Sequence, residues 1–242
     1  MFPTQTGYLL INKPKDITSF DCIRHIKKIL NAGRKVKIGH AGTLDPFATG
    51  LLIVCIGRDA TKTISHLLNL DKTYVVKAKL GERTDTLDCT GRMVETSNVQ
   101  IQKQEIELAI KNLGSSYMQT PPIYSALKHQ GQPLYKLVRE KKLTEKQLAE
   151  IIKAKSRTVT IHNIKLLNYA SPYFSFKAQV SKGTYIRSLS NDIAQKAGSI
   201  ATTYELERTK IGSISLTKAT RLDMLKSVDD IQKNMLSQEQ VT

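Results

Sequence analysis

The sequence contains no tryptophan, and aromatic residues make up only 6% of it. A surface built mainly for stacking exposed bases is therefore a poor fit. Cysteine is scarce as well: Cys22, Cys55 and Cys89 are odd in number, far apart, and include no CxxC pair. This excludes a disulfide framework and a cysteine zinc site, and points to reduced thiols in a cytosolic protein. There is no HExxH, no GxGxxG and no complete phosphate loop, because Gly57 with Lys62-Thr63 lacks the second glycine. No apolar run approaches the length of a membrane span. The N-terminus, Met1 to Thr6, has neither a basic nor an apolar stretch of the secretory type. These absences together give the expectation of a cytoplasmic protein with no metal, no cofactor and no membrane contact.

Acidic residues are also in short supply. There are 21 Asp and Glu against 37 Lys and Arg, a formal net charge of +16 in 242 residues. A field of that size favours a polyanionic partner, with counterion release supplying much of the affinity. The competing explanation is a lysine-rich proteome. The hydrophobic fraction of 40% is that of an ordinary globular protein with a real core.

Local patterns place the elements. Tyr8 to Asn12 reads as a strand left at Lys13-Pro14. Thr18 or Ser19 can cap a helix with Asp21 in its first turn and Cys22, Ile23, Ile26, Ile29 and Leu30 as its apolar stripe. The run Leu51 to Ile56 is apolar throughout and too short for a typical helix, so it reads as a buried strand. Thr73 to Leu80 and Val159 to Leu167 are further strands, and Phe174, Phe176, Ala178 and Val180 alternate with polar residues. Helices are expected around Ile106 to Leu113, stopped by Gly114, and around Ile186 to Ala194, with Gly198 just beyond. Without a regular βαβ repeat, the fold class is α+β: a mixed, largely antiparallel sheet flanked by helices and loops. From about Ser227 the chain is polar and reads as a frayed helix or tail.

Between a basic stretch (Arg34, Lys35, Lys37) and the buried strand lies a glycine-punctuated loop, Gly39 to Gly50. Glycine lets a backbone approach a ligand closely, and Pro46 biases Asp45 toward an extended conformation. An Asp held beside cations is suited to act as a nucleophile or as an electrostatic stabiliser. On residue chemistry alone, a structural carboxylate that accepts from nearby backbone N–H groups stands ahead of the nucleophile. Likewise Tyr74 reads as a core aromatic and His40 as a satisfied loop histidine. Arg187 opens a helix, where the dipole disfavours a cation and so argues for a specific acidic partner. Lys13, Lys72, Lys128 and Lys182 are candidates for phosphate contacts.

Five blocks in order change the balance. Gly39-His40-Ala41-Gly42-Thr43-Leu44-Asp45-Pro46-Phe47-Ala48-Thr49-Gly50-Leu51-Leu52 resembles the signature of the TruB family of tRNA pseudouridine synthases. Gly7 to Pro14 with Thr18-Ser19, Lys72 to Tyr74 with Leu80 to Asp88, Pro121 to Lys128 with Gly131 and Leu134-Tyr135, and Ser181 to Leu189 resemble its other blocks. The resemblance implies the pseudouridine synthase fold and isomerisation of the T-loop uridine of tRNA, position 55. It makes Asp45 the nucleophile and Tyr74 the tyrosine that stacks on the flipped base and handles a proton. Arg187 matches the arginine that pairs with the catalytic aspartate, with Tyr185 beside it. His40 matches a histidine that displaces bases in the tRNA loop, and Leu206 lines the uracil pocket. The chemistry agrees, since the reaction has no net redox change and a carboxylate near an anomeric carbon is what glycosyl chemistry uses elsewhere. Reaching that carbon requires extruding the nucleotide.

The chain departs from the family pattern in places. Asp16 stands where glycine is usual, Thr202 where histidine is usual, and Glu207 replaces the first of two arginines, leaving Arg208. Glu140 to Ser156 is long and lysine-rich, and is expected to be an exposed helical insertion, apolar at Leu148, Ile151 and Ile152. Residues 1–212 are expected to form the catalytic domain, with an insertion at about 140–156. Residues 213–242 would be a short extension, too short for a complete PUA domain. The expected partner is the T stem-loop of tRNA, bound by a monomer that needs no protein partner. The competing function is an RNA-binding or tRNA-folding chaperone with little or no catalysis.

Overall fold

The apolar run that follows the glycine loop forms the central strand of the first of two compact units, residues 1–75 with 206–242. In the computed structural model, which describes residues 6–31, 36–125, 127–140 and 143–241, the elements run as follows. The N-terminal part holds β1 (Gly7–Lys13), α1 (Ser19–Ile29), β2 (Ile38–His40), β3 (Thr49–Ile56), α2 (Arg58–Lys62), α3 (Ile64–Asn69) and β4 (Lys72–Leu80). Then come β5 (Glu82–Thr84), β6 (Met93–Thr96), α4 (Lys103–Lys111), β7 (Ser116–Gln119), β8 (Lys128–His129), β9 (Gln132–Pro133), α5 (Leu134–Arg139) and α6 (Glu145–Ala154). The chain continues through β10 (Arg157–Ala170), β11 (Tyr173–Val180), α7 (Ile186–Lys196), β12 (Ala201–Ile211), β13 (Ile214–Ser215), β14 (Thr220–Arg221) and α8 (Val228–Lys233).

In the first unit the strand order is β14-β1-β3-β12, with β2 added to β3 and β13 to β12. β1 and β3 are antiparallel, pairing Tyr8 with Cys55 and Leu10 with Ile53. β3 is buried on both faces, which is why its sequence is apolar without alternation. Leu51, Ile53 and Cys55 pack with Tyr8, Leu10 and Leu67, while Leu52, Val54 and Ile56 pack with Leu9, Ile11, Cys22 and Ile26. Leu51, Leu52, Ile53 and Val54 are fully buried, each contributing about 1.5–3 kcal/mol of hydrophobic stabilisation. Thr18 caps α1 in a reciprocal box with Asp21, and Cys22, Ile23 and Ile26 carry the buried stripe.

The polar segment from Ser227 is more ordered than its composition suggests. Ser227 and Asp230 form a capping box on α8, Ile231 is buried, and Leu236 exchanges two backbone hydrogen bonds with Tyr8 of β1, at 3.0 and 2.8 Å. With Ile231 its one buried residue, α8 leaves no periodic stripe to read, and the frayed helix or tail expected there is a capped helix followed by a docked strand-like segment.

The second unit, residues 76–205, has the strand order β12-β4-β11-β10-β7. β10 and β11 form a long antiparallel hairpin, and β10 also pairs antiparallel with β7. Phe174, Phe176, Ala178 and Val180 are buried, as their alternation predicts. α4 packs against α7 and β10. The helix expected within 140–156 is α6, capped by Thr144 and Gln147, with Ile152 buried and Leu148 and Ile151 half-buried. The structure is thus α+β with a largely antiparallel sheet and flanking helices. Among the described residues no helix is long and apolar enough to cross a membrane.

Candidate active site

The loop that carries Asp45 is fixed by side chains from three other elements of the first unit. Lys13, at the end of β1, is fully buried, and its Nζ donates to the carbonyls of Pro14, Ile17 and Pro46 at 2.8, 2.8 and 3.1 Å. Ser19, at the start of α1, exchanges hydrogen bonds with the Leu44 backbone: its Oγ donates to the carbonyl at 3.2 Å and accepts from the N–H at 2.9 Å. Arg208 of β12 is 1% exposed and donates to the carbonyls of Leu51 and Gly42 at 2.8 and 2.9 Å. The N–H groups of Asp16 and Ala48 close the turn, donating to the carbonyls of Pro46 and Asp45 at 2.9 and 3.1 Å. Asp45 itself is half-buried between these anchors.

Burial drives the Lys13 ammonium down to about pKa 8; the nearby Asp16 and Asp45 carboxylates oppose this shift and the Arg208 guanidinium adds to it. Lys13, Asp45 and Arg208 therefore share one electrostatic neighbourhood. His40, on β2, belongs to it too: burial first, then Arg208, lowers its pKa from the ordinary 6.5 and keeps the ring neutral at physiological pH. Its buried Nδ1 has no hydrogen-bond partner among the described residues. Leu206 is buried on β12, two residues before Arg208 and so on the same strand face. Tyr74 is half-buried on β4. Beside it the Thr73 carbonyl accepts from the Thr209 hydroxyl at 3.2 Å, linking β4 to the β12 segment that carries Arg208.

Tyr185 and Arg187 belong to the second unit. Arg187 has the acidic partner that its place at a helix start demanded: its Nη1 lies 3.3 Å from Asp88 Oδ2 with both side chains buried. It also donates to the carbonyls of Thr86 and Tyr124 at 2.5 and 2.9 Å. Asp88 Oδ1 in turn accepts from Thr86 Oγ1, Thr90 N and Thr90 Oγ1 at 2.9, 3.0 and 2.5 Å. A buried charge pair of this kind depends on such a satisfied surround. Tyr185 occupies the N-cap position of α7, and its ring lies under the Arg157 guanidinium, whose Cζ is 5.2 Å from the ring centroid.

Several sequence readings change at this level. Lys13 and Lys72 were candidate phosphate contacts, but both are buried; Lys72 donates to the carbonyls of Leu68 and Leu70, each at 2.6 Å. They are clamps on the protein's own backbone. Lys182 is exposed. The side chain of Lys128, like Arg34 and Lys35, lies outside the described residues. Thr202 is fully buried, donating to the Glu82 carbonyl at 3.0 Å and accepting from Thr84 N at 3.2 Å. That departure therefore lies in an internal joint and not on the surface. Asp16 has φ +66°, the left-handed conformation glycine favours and aspartate tolerates. Sequence reasoning missed Asp88, Ser19 and the clamping role of Arg208; the signal available was their presence inside or beside the five ordered blocks.

Residues 27–186 match the family description "TruB family pseudouridylate synthase (N terminal domain)". The "tRNA pseudouridine synthase B" of Caldicellulosiruptor saccharolyticus is 42% identical over 219 residues, 90% of this chain and 72% of that protein. The protein of the same name from Clostridium tetani is 40% identical over 234 residues, 96% of this chain and 76% of that one. The solved structure titled "Crystal Structure of a Cbf5-Nop10-Gar1 Complex" is similar with a TM-score of 0.67 and 27% identity, covering 92% of this chain and 54% of that chain. A second, "Structure of H/ACA RNP bound to a substrate RNA containing 2'-deoxyuridine", gives 0.66 and 26%, covering 92% and 53%. This chain thus spans about half the length of those two structural relatives.

Proposed function

The chain belongs to the TruB family of pseudouridylate synthases, and we propose that it converts the T-loop uridine of tRNA, position 55, to pseudouridine. The single observation that carries the mechanism is the Asp45 loop, pinned through its backbone by Lys13, Ser19 and Arg208. A loop that merely joined two strands would need no buried ammonium and guanidinium to hold it. A carboxylate fixed this way is pre-organised for attack, which is where much of a catalytic advantage originates.

In the reaction the bond from C1′ to N1 breaks as Asp45 attacks the extruded nucleotide. The base rotates, a bond forms from C1′ to C5 as the nucleotide leaves Asp45 and the carboxylate is regenerated, the C5 proton leaves and N1 gains a proton. The atoms balance without oxidant or reductant, so the proposed enzyme uses no cofactor and no metal. Tyr74 supplies the aromatic face for the extruded base and handles the proton. Tyr185, Arg187 and Leu206 bind the uridine, and His40 acts on the displaced bases of the RNA loop. We place the enzyme in the cytoplasm as a monomer, with residues 1–212 as its catalytic domain and 213–242 as an extension.

The test is tritium release from C5-labelled uridine in a T stem-loop RNA. Asp45→Asn is expected to lower the single-turnover rate by at least roughly a thousandfold with little change in RNA affinity. Equal release by both proteins would remove Asp45 from the chemistry. Binding by both with release by neither would favour the RNA chaperone.

A further inference from the structure

Gln119, the last residue of β7, carries a side chain only 1% exposed. A buried amide must match its acceptor and both its donors, and here each is matched. Its Oε1 accepts from Tyr185 N at 2.7 Å. Its Nε2 donates to the Tyr185 carbonyl at 3.1 Å and to the Tyr117 hydroxyl at 2.7 Å. Tyr117, having accepted from Gln119, donates to Asp192 Oδ2 on α7 at 2.7 Å. An ionised carboxylate can only accept, so Asp192 sets the direction of the whole chain of bonds. The Gln119 amide cannot flip without breaking three of them.

Opposite Gln119 in the antiparallel register stands Arg157 of β10, so the two side chains leave the same face of the sheet. Arg157 donates to the Gly183 carbonyl and covers the Tyr185 ring. A Cβ at Gly183 would lie 2.7 Å from Arg157 Cζ, and φ there is +80°. The close approach therefore depends on glycine. One cross-strand pair thus grips residues 183 to 185 twice, once by peptide and once by ring. This segment leads directly into α7, whose N-cap, Tyr185, provides no side-chain cap of its own. Arg187 follows two residues later.

We propose that Gln119 is a positioning residue for the isomerisation, with Arg157 as its second grip: together they fix the peptide and ring of Tyr185, and Tyr117 with Asp192 fixes the Gln119 amide. The proposal rests on the assignment of Tyr185 to the uridine-binding site. It assigns work to two residues that have no part in the chemistry itself.

The test compares wild type, Gln119→Glu and Arg157→Gln on C5-tritiated T stem-loop RNA, reading the single-turnover release rate and, separately, Kd. Gln119→Glu keeps an acceptor for Tyr185 N but offers no donor to the Tyr185 carbonyl or to Tyr117. Its rate is expected to fall on the order of 10- to 100-fold, with Kd within about threefold. Arg157 is exposed, so its variant folds, and its rate is expected to fall about fivefold at unchanged Kd. A structural role alone would lower the melting temperature without separating rate from affinity in the folded protein. If Gln119→Glu does not fold, Arg157→Gln decides. Variant rates within twofold of an active wild type, or losses in rate matched by losses in Kd, overturn the proposal. A wild type that releases no label overturns the functional reading beneath it, and the proposal with it.

Discussion

Asp192 shows how one half-buried carboxylate leaves a measurable trace. Burial pushes its pKa up from 3.8 to about 6, against the hydrogen bond from Tyr117, the nearby Gln119 amide and the charge of Lys196, which pull it down. Because the folded value lies above the unfolded one, the ionised form opposes folding. Above about pH 6 the carboxylate is charged in both states and the folded protein carries the whole penalty. As pH falls from about 6 toward 3.8, the folded state takes up the proton first and the penalty disappears. Two units correspond to at most about 3 kcal/mol. Asp192→Asn keeps an acceptor for Tyr117 and removes the charge. Urea unfolding should therefore show the variant more stable than wild type at pH 7.5, by up to about 3 kcal/mol, with the difference shrinking toward pH 4. A constant difference across that range would mean that Asp192 is not the titrating group. None of this partnership was legible in the sequence, for the same reason that the Lys13 and Arg208 clamps were not. Lys13 meets Pro46 across 33 residues, Arg187 meets Asp88 across 99, and Arg208 meets Gly42 across 166. Residue type announces that a buried charge needs a partner, and only the fold says which.

Elements whose signals are local read correctly from the sequence: the start of α1 at Thr18-Ser19, the unbroken apolar run of β3 and the alternation of β11 each lie within a dozen residues. The glycines of the Asp45 loop were readable only in part. The sequence says that Gly50 permits a close approach, but what approaches is the backbone of Arg208, its parallel partner on β12. A Cβ at Gly50 would lie 2.5 Å from the Arg208 carbonyl oxygen and 2.8 Å from its nitrogen, at φ +102°. Backbone atoms in a paired strand cannot yield as a side-chain end can. Gly50→Ala should therefore cost the left-handed strain of about 1–2 kcal/mol plus an overlap of roughly the same size or more. Gly114, with φ +73° and nothing within 4 Å, supplies the comparison: Gly114→Ala should cost only the strain. Denaturant titrations that gave the two variants equal losses would show that the β3–β12 contact can relax. Because Gly50 also ends the loop behind Asp45, its substitution should depress the rate of bound RNA more than the affinity.

At the scale of the molecule, few of the described cations enter the core. Among the described residues only Lys13, Lys72, Arg187 and Arg208 are buried cations, against Glu82 and Asp88 as buried carboxylates. The buried groups thus hold a net +2 of the formal +16. Surface pairs such as Lys62–Asp59 and Arg221–Asp223 add little to stability in solvent, yet they occupy acidic side chains that would otherwise repel a polyanion. Two kinds of charge therefore do different work, and salt separates them. RNA affinity should fall steeply with ionic strength: five phosphate contacts would weaken Kd by roughly 500-fold between 50 and 200 mM salt. The buried cations around Asp45 are shielded from mobile ions and are screened far less. At saturating RNA, the single-turnover rate should then stay nearly constant over the same range. Measuring both on one preparation tests the division directly. A flat Kd would take the surface charge out of RNA recognition, and a rate that fell with Kd at saturation would mean that the charges holding the Asp45 loop are open to solvent.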